Sequence, residues 1–247
     1  MKKDKKIVVI MPAFNAAKTL SVTYQDIPKD IVDAIVLVDD ASTDETADLA
    51  EILGIKVIKH PHNVGYGGNQ KTCYMEALRD NADVIIMVHP DNQYDPKFIP
   101  EIISPILSGK SDIVLGSRIL MPGGAIRGGM PIYKYISNRI LTIIENIVLG
   151  QHLSELHTGY RAYSKKFLEV IPFLRNSNDF VFDTQVLIQA AAFNFHIDEI
   201  PVTTRYFKEA SSVNFWVSLK YGLKTLWVLL RYILHKTKIL QAKFLIR

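Results

Sequence analysis

The sequence predicts an α/β fold in which a largely parallel sheet is flanked by helices. Three observations carry that expectation. Short apolar runs recur from residue 7 to residue 116, with the length of buried strands rather than of helices. Amphipathic segments of helical length separate them, which is the alternation of a βαβ chain. Several runs end in a polar cluster, as strands do where an open parallel sheet presents its carboxyl edge to a ligand.

Taken in order, residues 7–11 (IVVIM) form the first strand, and 16–26 has helical character. Residues 34–38 are the second strand and run into Asp39 and Asp40. Ser42 is placed to N-cap a helix reaching residue 53, with Asp44 and Glu45 favourable in its first turn. A third strand covers 56–59, the glycine-rich loop HNVGYGGN covers 62–69, and the helix it opens covers 70–79. Residues 84–88 are the fourth strand, followed at once by His89, Asp91, Asn92 and Gln93. A helix over 96–108 and a fifth strand over 112–116 come next. Residues 119–131, rich in glycine and proline, have the composition of a mobile loop. Helices over 132–149 and 183–194 and a strand over 197–205 complete an α/β domain of residues 1–210. Residues 211–247 form a separate basic helical segment.

The 247 residues carry a formal net charge of +4, and its placement excludes a class of partners. No acidic residue follows Glu209, so the last stretch holds +7 and residues 1–209 hold −3. A nucleic-acid-binding surface would spread basic charge over the body instead. At 48% hydrophobic and 22% charged, the composition is that of a globular protein. The single Cys73 excludes an internal disulfide framework and suits a reducing compartment. No uncharged apolar run reaches the roughly 18–20 residues of a membrane span. The lysine-rich start resembles a signal peptide, but its apolar part is short and broken by Pro12, so a first buried strand is the better reading.

A dinucleotide fold would place its glycine fingerprint in the first strand–helix turn, around the pyrophosphate. That turn reads PAFNA here, and GYGG at 65–68 follows the third strand without the full spacing. No GxxxxGK[ST] phosphate loop is present either. What the strand ends offer instead is carboxylates, which accept hydrogen bonds from a base N–H and from ribose hydroxyls.

In order and spacing, PAFN, VDDASTDET, HNVGYGGN, HPDNQ, GSR at 116–118 and HTGYR at 157–161 resemble the nucleotide-sugar transferases of glycosyltransferase family 2. The dolichyl- or polyprenyl-phosphate mannosyl- and glucosyltransferase branch is the nearest match, and the likeness runs from residue 7 to about residue 231. It implies a GT-A fold, a nucleoside diphosphate-sugar donor with uridine or guanosine, and Mg²⁺ or Mn²⁺. Pro12, Phe14 and Asn15 match the motif lining base and ribose. Asp39 and Asp40 match the pair that binds them, with a helix-capping turn as the alternative. Asp91 and Gln93 match metal-motif positions. His89 stands where the family has a carboxylate, and it either ligates metal, contacts the donor or is structural. A hard divalent ion on a pyrophosphate prefers oxygen donors, and Mn²⁺ accepts imidazole more readily than Mg²⁺.

Ala16 replaces a family glutamate. Arg118 and Arg205 match arginines that neutralise the diphosphate, a task suited to forked guanidinium donors. Lys208 stands near a family lysine position. Asp183 matches an acidic residue near the acceptor, either orienting it or serving as a helix N-terminal charge. His157, Arg161, Arg127 and Arg139 are further acceptor-side candidates, and the HPH of 60–62 is assigned to a loop rather than to zinc. The implied catalytic set is Asp91, Asp183, Arg118 and Arg205.

In the tail, Leu219, Leu223, Leu226, Leu230 and Ile233 repeat at spacings of four and three, one apolar helical stripe. Lys220, Lys224, Arg231, His235 and Lys238 cluster on another face, with Trp216 and Trp227 between. This pattern predicts a helix lying on an anionic membrane surface. The alternative is a helix packed on the domain with its basic face solvated.

The combined expectation is an inverting hexosyltransferase acting on a polyprenyl phosphate at the cytoplasmic membrane face, attached peripherally. Transfer to a sugar hydroxyl, and a non-catalytic nucleotide-sugar-binding scaffold suggested by His89 and Ala16, are the alternatives. Oligomeric state is left open.

Overall fold

A computed structural model of the chain describes residues 5–206 and 215–246. Its first half alternates strands and helices as expected: β1 (Ile7–Ala13), α1 (Ala17–Asp26), β2 (Ala34–Asp39), α2 (Thr46–Ile52), β3 (Lys56–Lys59), α3 (Tyr66–Arg79), β4 (Val84–Met87), α4 (Ile99–Leu107) and β5 (Ile113–Ser117). A helical turn, α5 (Gly124–Arg127), precedes the long α6 (Ile132–Leu149). Then come β6 (Arg161–Ser164), α7 (Lys165–Val170), α8 (Phe182–Ala192), β7 (Ile197–Pro201) and α9 (Phe215–Lys236).

The seven strands form one sheet in the order β3-β2-β1-β4-β6-β5-β7. Every residue of β1 is buried, because helices cover both faces of a central parallel strand. Val8 and Ile10 face the cluster that includes α3, α8 and α9. Ile7, Val9 and Met11 face the cluster that includes α4. Chain order reverses between β1 and β4, each parallel to the other, and a ligand crevice is expected beyond the strand ends there.

One strand departs from the parallel pattern. β6 pairs antiparallel with both β4 and β5, with Arg161 opposite Met87 and opposite Leu115. A four-residue strand beginning with arginine carries almost no periodicity, so the sequence hides it. Its reversed direction has a large consequence. The residues that precede it, His157 to Tyr160, arrive at the same sheet edge as the residues that follow β4.

Three smaller differences have physical causes. Ser42 does not cap α2: its hydroxyl donates to Asp39, and the helix starts at Thr46. α3 starts at Tyr66, inside the expected loop, with Gly67 and Gly68 in its first turn. A Cβ on Gly67 would lie 2.5 Å from the Ser177 carbonyl oxygen and 2.7 Å from the Phe182 Cβ, so these glycines allow close packing. Residues 119–131 contain α5, and Gly128 abuts the Thr204 carbonyl, where a Cβ would come within 2.5 Å.

The expected domain boundary at 210/211, and Lys208, lie outside the described residues.

Candidate active site

Three non-glycine residues with left-handed backbone stand at the ends of three strands: Asn15 (φ 51°) after β1, Ala41 (φ 60°) after β2 and Asn92 (φ 53°) after β4. Alanine gains nothing from that conformation, which costs it roughly 1–2 kcal/mol. Such strain collects where tight turns must aim functional groups. Here the turns rim a cavity of about 680 Å³ that runs from the ends of β1 and β4 to a cleft between α6 and α9.

On the sheet side, Pro12, Phe14, Asp40, His89, Asp91 and Gln93 line it, with Phe14 half exposed. Asp40 is buried and holds the glycine-rich loop. It accepts from Val64 N at 2.9 Å and Gly65 N at 3.1 Å, and His60 Nδ1 lies 2.9 Å away. Asp39 does not line the cavity and is engaged by the Ser42 amide and hydroxyl. Asn15 ties its turn to the next one, its Oδ1 accepting from Thr43 N at 2.8 Å.

Asp91 accepts from Gln93 N at 3.0 Å through Oδ1. His89 is packed on Gly159, where a Cβ would stand 2.9 Å from its ring, and it stacks on Tyr66. Its Nε2 is 3.5 Å from the Tyr66 hydroxyl. Burial holds the imidazole below the usual histidine pKa, against the opposing pull of Asp91 and Asp183, so it is neutral at pH 7. Among the described residues no three His, Cys, Asp or Glu side chains converge on one point. Asp91 and Gln93 supply hard oxygen donors, so these residues fit a divalent ion that they would hold.

Asp183, in the first turn of α8, also reaches the cavity. Tyr66 Oη donates to it at 2.9 Å, Gln70 Nε2 donates at 3.1 Å, and Arg161 Nη2 stands at 3.5 Å. Burial acts to lower the Arg161 pKa, but Asp183 together with Tyr163, Tyr66 and Tyr74 outweighs it and raises the pKa above the usual arginine value. The carboxylate is thus fixed in place with its oxygens already engaged.

Of the two arginines expected at the diphosphate, Arg118 lines the cavity and Arg205 does not. Arg118 is buried against the buried Glu155. Its Nε donates to Oε1 at 2.8 Å and its backbone N to Oε2 at 2.7 Å. Its Nη2 also donates to Glu155 Oε1, and further bonds go to Tyr206 Oη at 2.8 Å and the His157 carbonyl at 2.7 Å. Arg205 is 67% exposed and points to Asp95, 4.0 Å away. Arg139 donates to the Ser154 carbonyl and Arg127 to the Pro122 carbonyl. His157 lines the cavity with both ring nitrogens approached. Tyr221 Oη is 2.8 Å from Nδ1, and Glu145 lies 2.8 Å from Nε2 at ion-pair distance without hydrogen-bond geometry.

Sequence reasoning missed Lys134, Glu155 and Tyr66. Lys134 stands on α6 at the cavity, its pKa lowered by burial and then by Arg118. Glu155 precedes the HTGYR motif by only two positions, and a buried carboxylate there has no periodic signal. Tyr66 sat in what looked like loop.

An open α/β sheet with its ligand cavity at the β1/β4 reversal, built from acidic strand ends and an antiparallel β6, defines a glycosyltransferase of the GT-A type. The chain belongs to glycosyl transferase family 2, whose pattern matches residues 8–171. It is 30% identical over 201 residues to an uncharacterised protein of Methanocaldococcus jannaschii, covering 81% of this chain and 82% of that one. It is 28% identical over 236 residues to the UDP-N-acetylglucosamine–dolichyl-phosphate N-acetylglucosaminyltransferase of Methanococcus voltae, covering 88% and 93%. Among solved structures, glucosyl-3-phosphoglycerate synthase from Mycobacterium tuberculosis, in complex with Mn²⁺, UDP-glucose and phosphoglyceric acid, superposes with a TM-score of 0.72 at 19% identity. That match covers 93% of this chain and 80% of that chain and bears on the fold alone.

Proposed function

We propose that this glycosyltransferase moves a hexose, with inversion, from a nucleoside diphosphate-sugar to a polyprenyl phosphate at the cytoplasmic face of a membrane. The observation that carries this reading is the shape of the cavity. One end lies among the acidic strand ends, and the other lies between α6 and α9, two helices whose outward sides are apolar. A donor with a charged head and an acceptor with a lipid tail match those two ends.

The chemistry supports the same acceptor. A phosphate oxygen is already anionic and attacks the anomeric carbon without a strong base, as the bond to the diphosphate oxygen breaks. A sugar hydroxyl would need a base, and Asp183 is held by Tyr66, Gln70 and Arg161. Asp91 and Gln93 would hold Mg²⁺ or Mn²⁺, which supplies positive charge to the leaving diphosphate. Lys134 brings a cation from α6, and Arg118 lines the same cavity, paired with Glu155. Asp40, Pro12 and Phe14 would hold the base and ribose. The M. voltae relative, by its name, uses a uridine diphosphate donor, which favours a UDP-sugar over a GDP-sugar.

No helix among the described residues is long and apolar enough to cross a membrane. Attachment in this reading is peripheral. It goes through α9, whose Leu219, Leu223, Leu226, Leu230 and Ile233 are all exposed. The test is transfer from UDP-glucose, UDP-N-acetylglucosamine or GDP-mannose to a detergent-dispersed short-chain polyprenyl phosphate with Mn²⁺. Formation of an alkali-stable, acid-labile glycosyl phosphate is the expected result. Turnover only onto a glycan hydroxyl, or none with any donor, overturns the proposal. Asp91→Asn should lower transfer about 100-fold or more while leaving the fold intact.

A further inference from the structure

α6 is an inside-out helix. At about 100° per residue, Asn138, Thr142, Glu145 and Leu149 fall on one side of it, and all four are buried. Ile132, Ile136, Ile140, Ile143 and Ile147 fall within an arc of about 80°, centred roughly 150° away. Each of these isoleucines is 51–76% exposed. Five isoleucines in one exposed row, over a buried row containing an asparagine, a threonine and a glutamate, reverse the usual arrangement of a globular helix. Isolated exposed apolar residues need no explanation, but a contiguous row marks a docking surface.

The row is not alone. α6 packs beside α9, with Leu141 of α6 3.6 Å from the Cβ position of Gly222. α9 sits on the domain through Thr225, Val228, Leu229 and Tyr232, and its leucine stripe stays 39–61% exposed. The two helices thus make one two-helix apolar face. The cavity lies between them, lined by Ser137 and Leu141 from one and by Ser218 and Tyr221 from the other.

We infer that this face is a membrane-docking platform of which α6 is the second half, and that its occupant is the surface of an anionic bilayer. Charge decides between lipid and a second copy of the chain. α9 has no acidic residue, and the one carboxylate of α6, Glu145, is fully buried beside His157. The outward sides of the two helices therefore carry no negative charge, while Lys220 and Lys236 of α9, and Lys238 just beyond it, are exposed. Pairing two such faces would bring cations together, whereas acidic headgroups complement them. A symmetric pairing would also cover the end of the cavity. On a bilayer, that end faces the headgroup layer, where a lipid phosphate lies. The inference rests on the proposed acceptor for its purpose, and on the two apolar rows for its existence.

Flotation of the full chain with phosphatidylcholine vesicles, with and without phosphatidylglycerol, tests it. The wild type should float only with phosphatidylglycerol. Ile140→Asp/Ile143→Asp should reduce the bound fraction about 10-fold or more although α9 is untouched, and Val22→Asp, on the exposed side of α1, should not. Ile140→Ser/Ile143→Ser serves if the charged pair unfolds the chain, with a smaller drop expected. The unfolding midpoint and the thermal shift with UDP and Mn²⁺ should not move. Wild-type flotation by the double variant overturns the inference. So does a dimer seen by light scattering that the double variant dissociates, without lipid-dependent flotation. Transfer to a detergent-dispersed acceptor needs no vesicle, so its failure strikes the proposed function and leaves the docking result standing.

Discussion

Helices α4 and α6 are both rich in isoleucine, and they face opposite ways. α4 buries Ile99, Ile102, Ile103 and Ile106 against β4 and its neighbours, as an amphipathic helix covering a sheet should. α6 turns its isoleucines outward and buries Asn138, Thr142 and Glu145. The inward side of α6 must be polar because it backs the cavity. Asn138 Nδ2 donates to Glu155 Oε1 at 2.7 Å, and Glu155 in turn fixes Arg118. Glu145 stands behind His157. An apolar row therefore identifies a helix face that wants cover, and it does not say whether protein or something else supplies it.

The contrast can be broken at four places, from the largest expected effect down. Glu155→Gln leaves Arg118 as a buried, uncompensated charge and should cost about 3–5 kcal/mol in urea unfolding at pH 7. The same pair sets a pH dependence. Burial alone would raise the Glu155 pKa, but Arg118 prevails and holds it below the usual value. A depressed folded-state pKa gives stability that is complete above the unfolded value, about 4.3, and is lost as pH falls through the lower folded one. The wild type should thus hold this contribution from pH 7 to about 5 and lose it in more acid solution. Glu155→Gln should lack that acid limb, and an unchanged limb would show that the pair does not set it.

On α4, Ile102→Ala should cost about 2–5 kcal/mol, the range for a buried isoleucine truncated in a packed core. On the inward face of α6, Asn138→Ala removes a donor from a buried carboxylate and should cost about 1–3 kcal/mol. On its outward face, Ile143→Ala should change stability by less than about 0.5 kcal/mol in the absence of lipid. If Ile143→Ala matched Ile102→Ala, the row would be packed on protein and the contrast between the helices would vanish.

Much of the first half of the fold is legible in the sequence. β3 and α6 match their expected limits of 56–59 and 132–149, because apolar runs and bounding turn residues are local signals. The motif PAFN was also legible as a rim of the site, since residues that follow a parallel strand have only one edge to occupy. Other parts were not. GYGG looked like loop, and its glycines instead let the start of α3 approach residues 177–179 and Phe182. Asp39 and Arg205 sat in matching motifs, yet Asp39 closes a turn with Ser42, and Arg205 lies outside the cavity beside Asp95.

By itself the sequence determined the strand–helix alternation, the acidic strand ends and the two stripes of α9, since each is a property of residues a few positions apart. Only the tertiary structure decided the direction of β6, the pairing of Arg118 with Glu155 across 37 positions, and the outward turn of the α6 isoleucines. Those depend on which distant groups meet in the folded chain. A buried charge must find its partner there, and a helix face is inside or outside only relative to what it packs against.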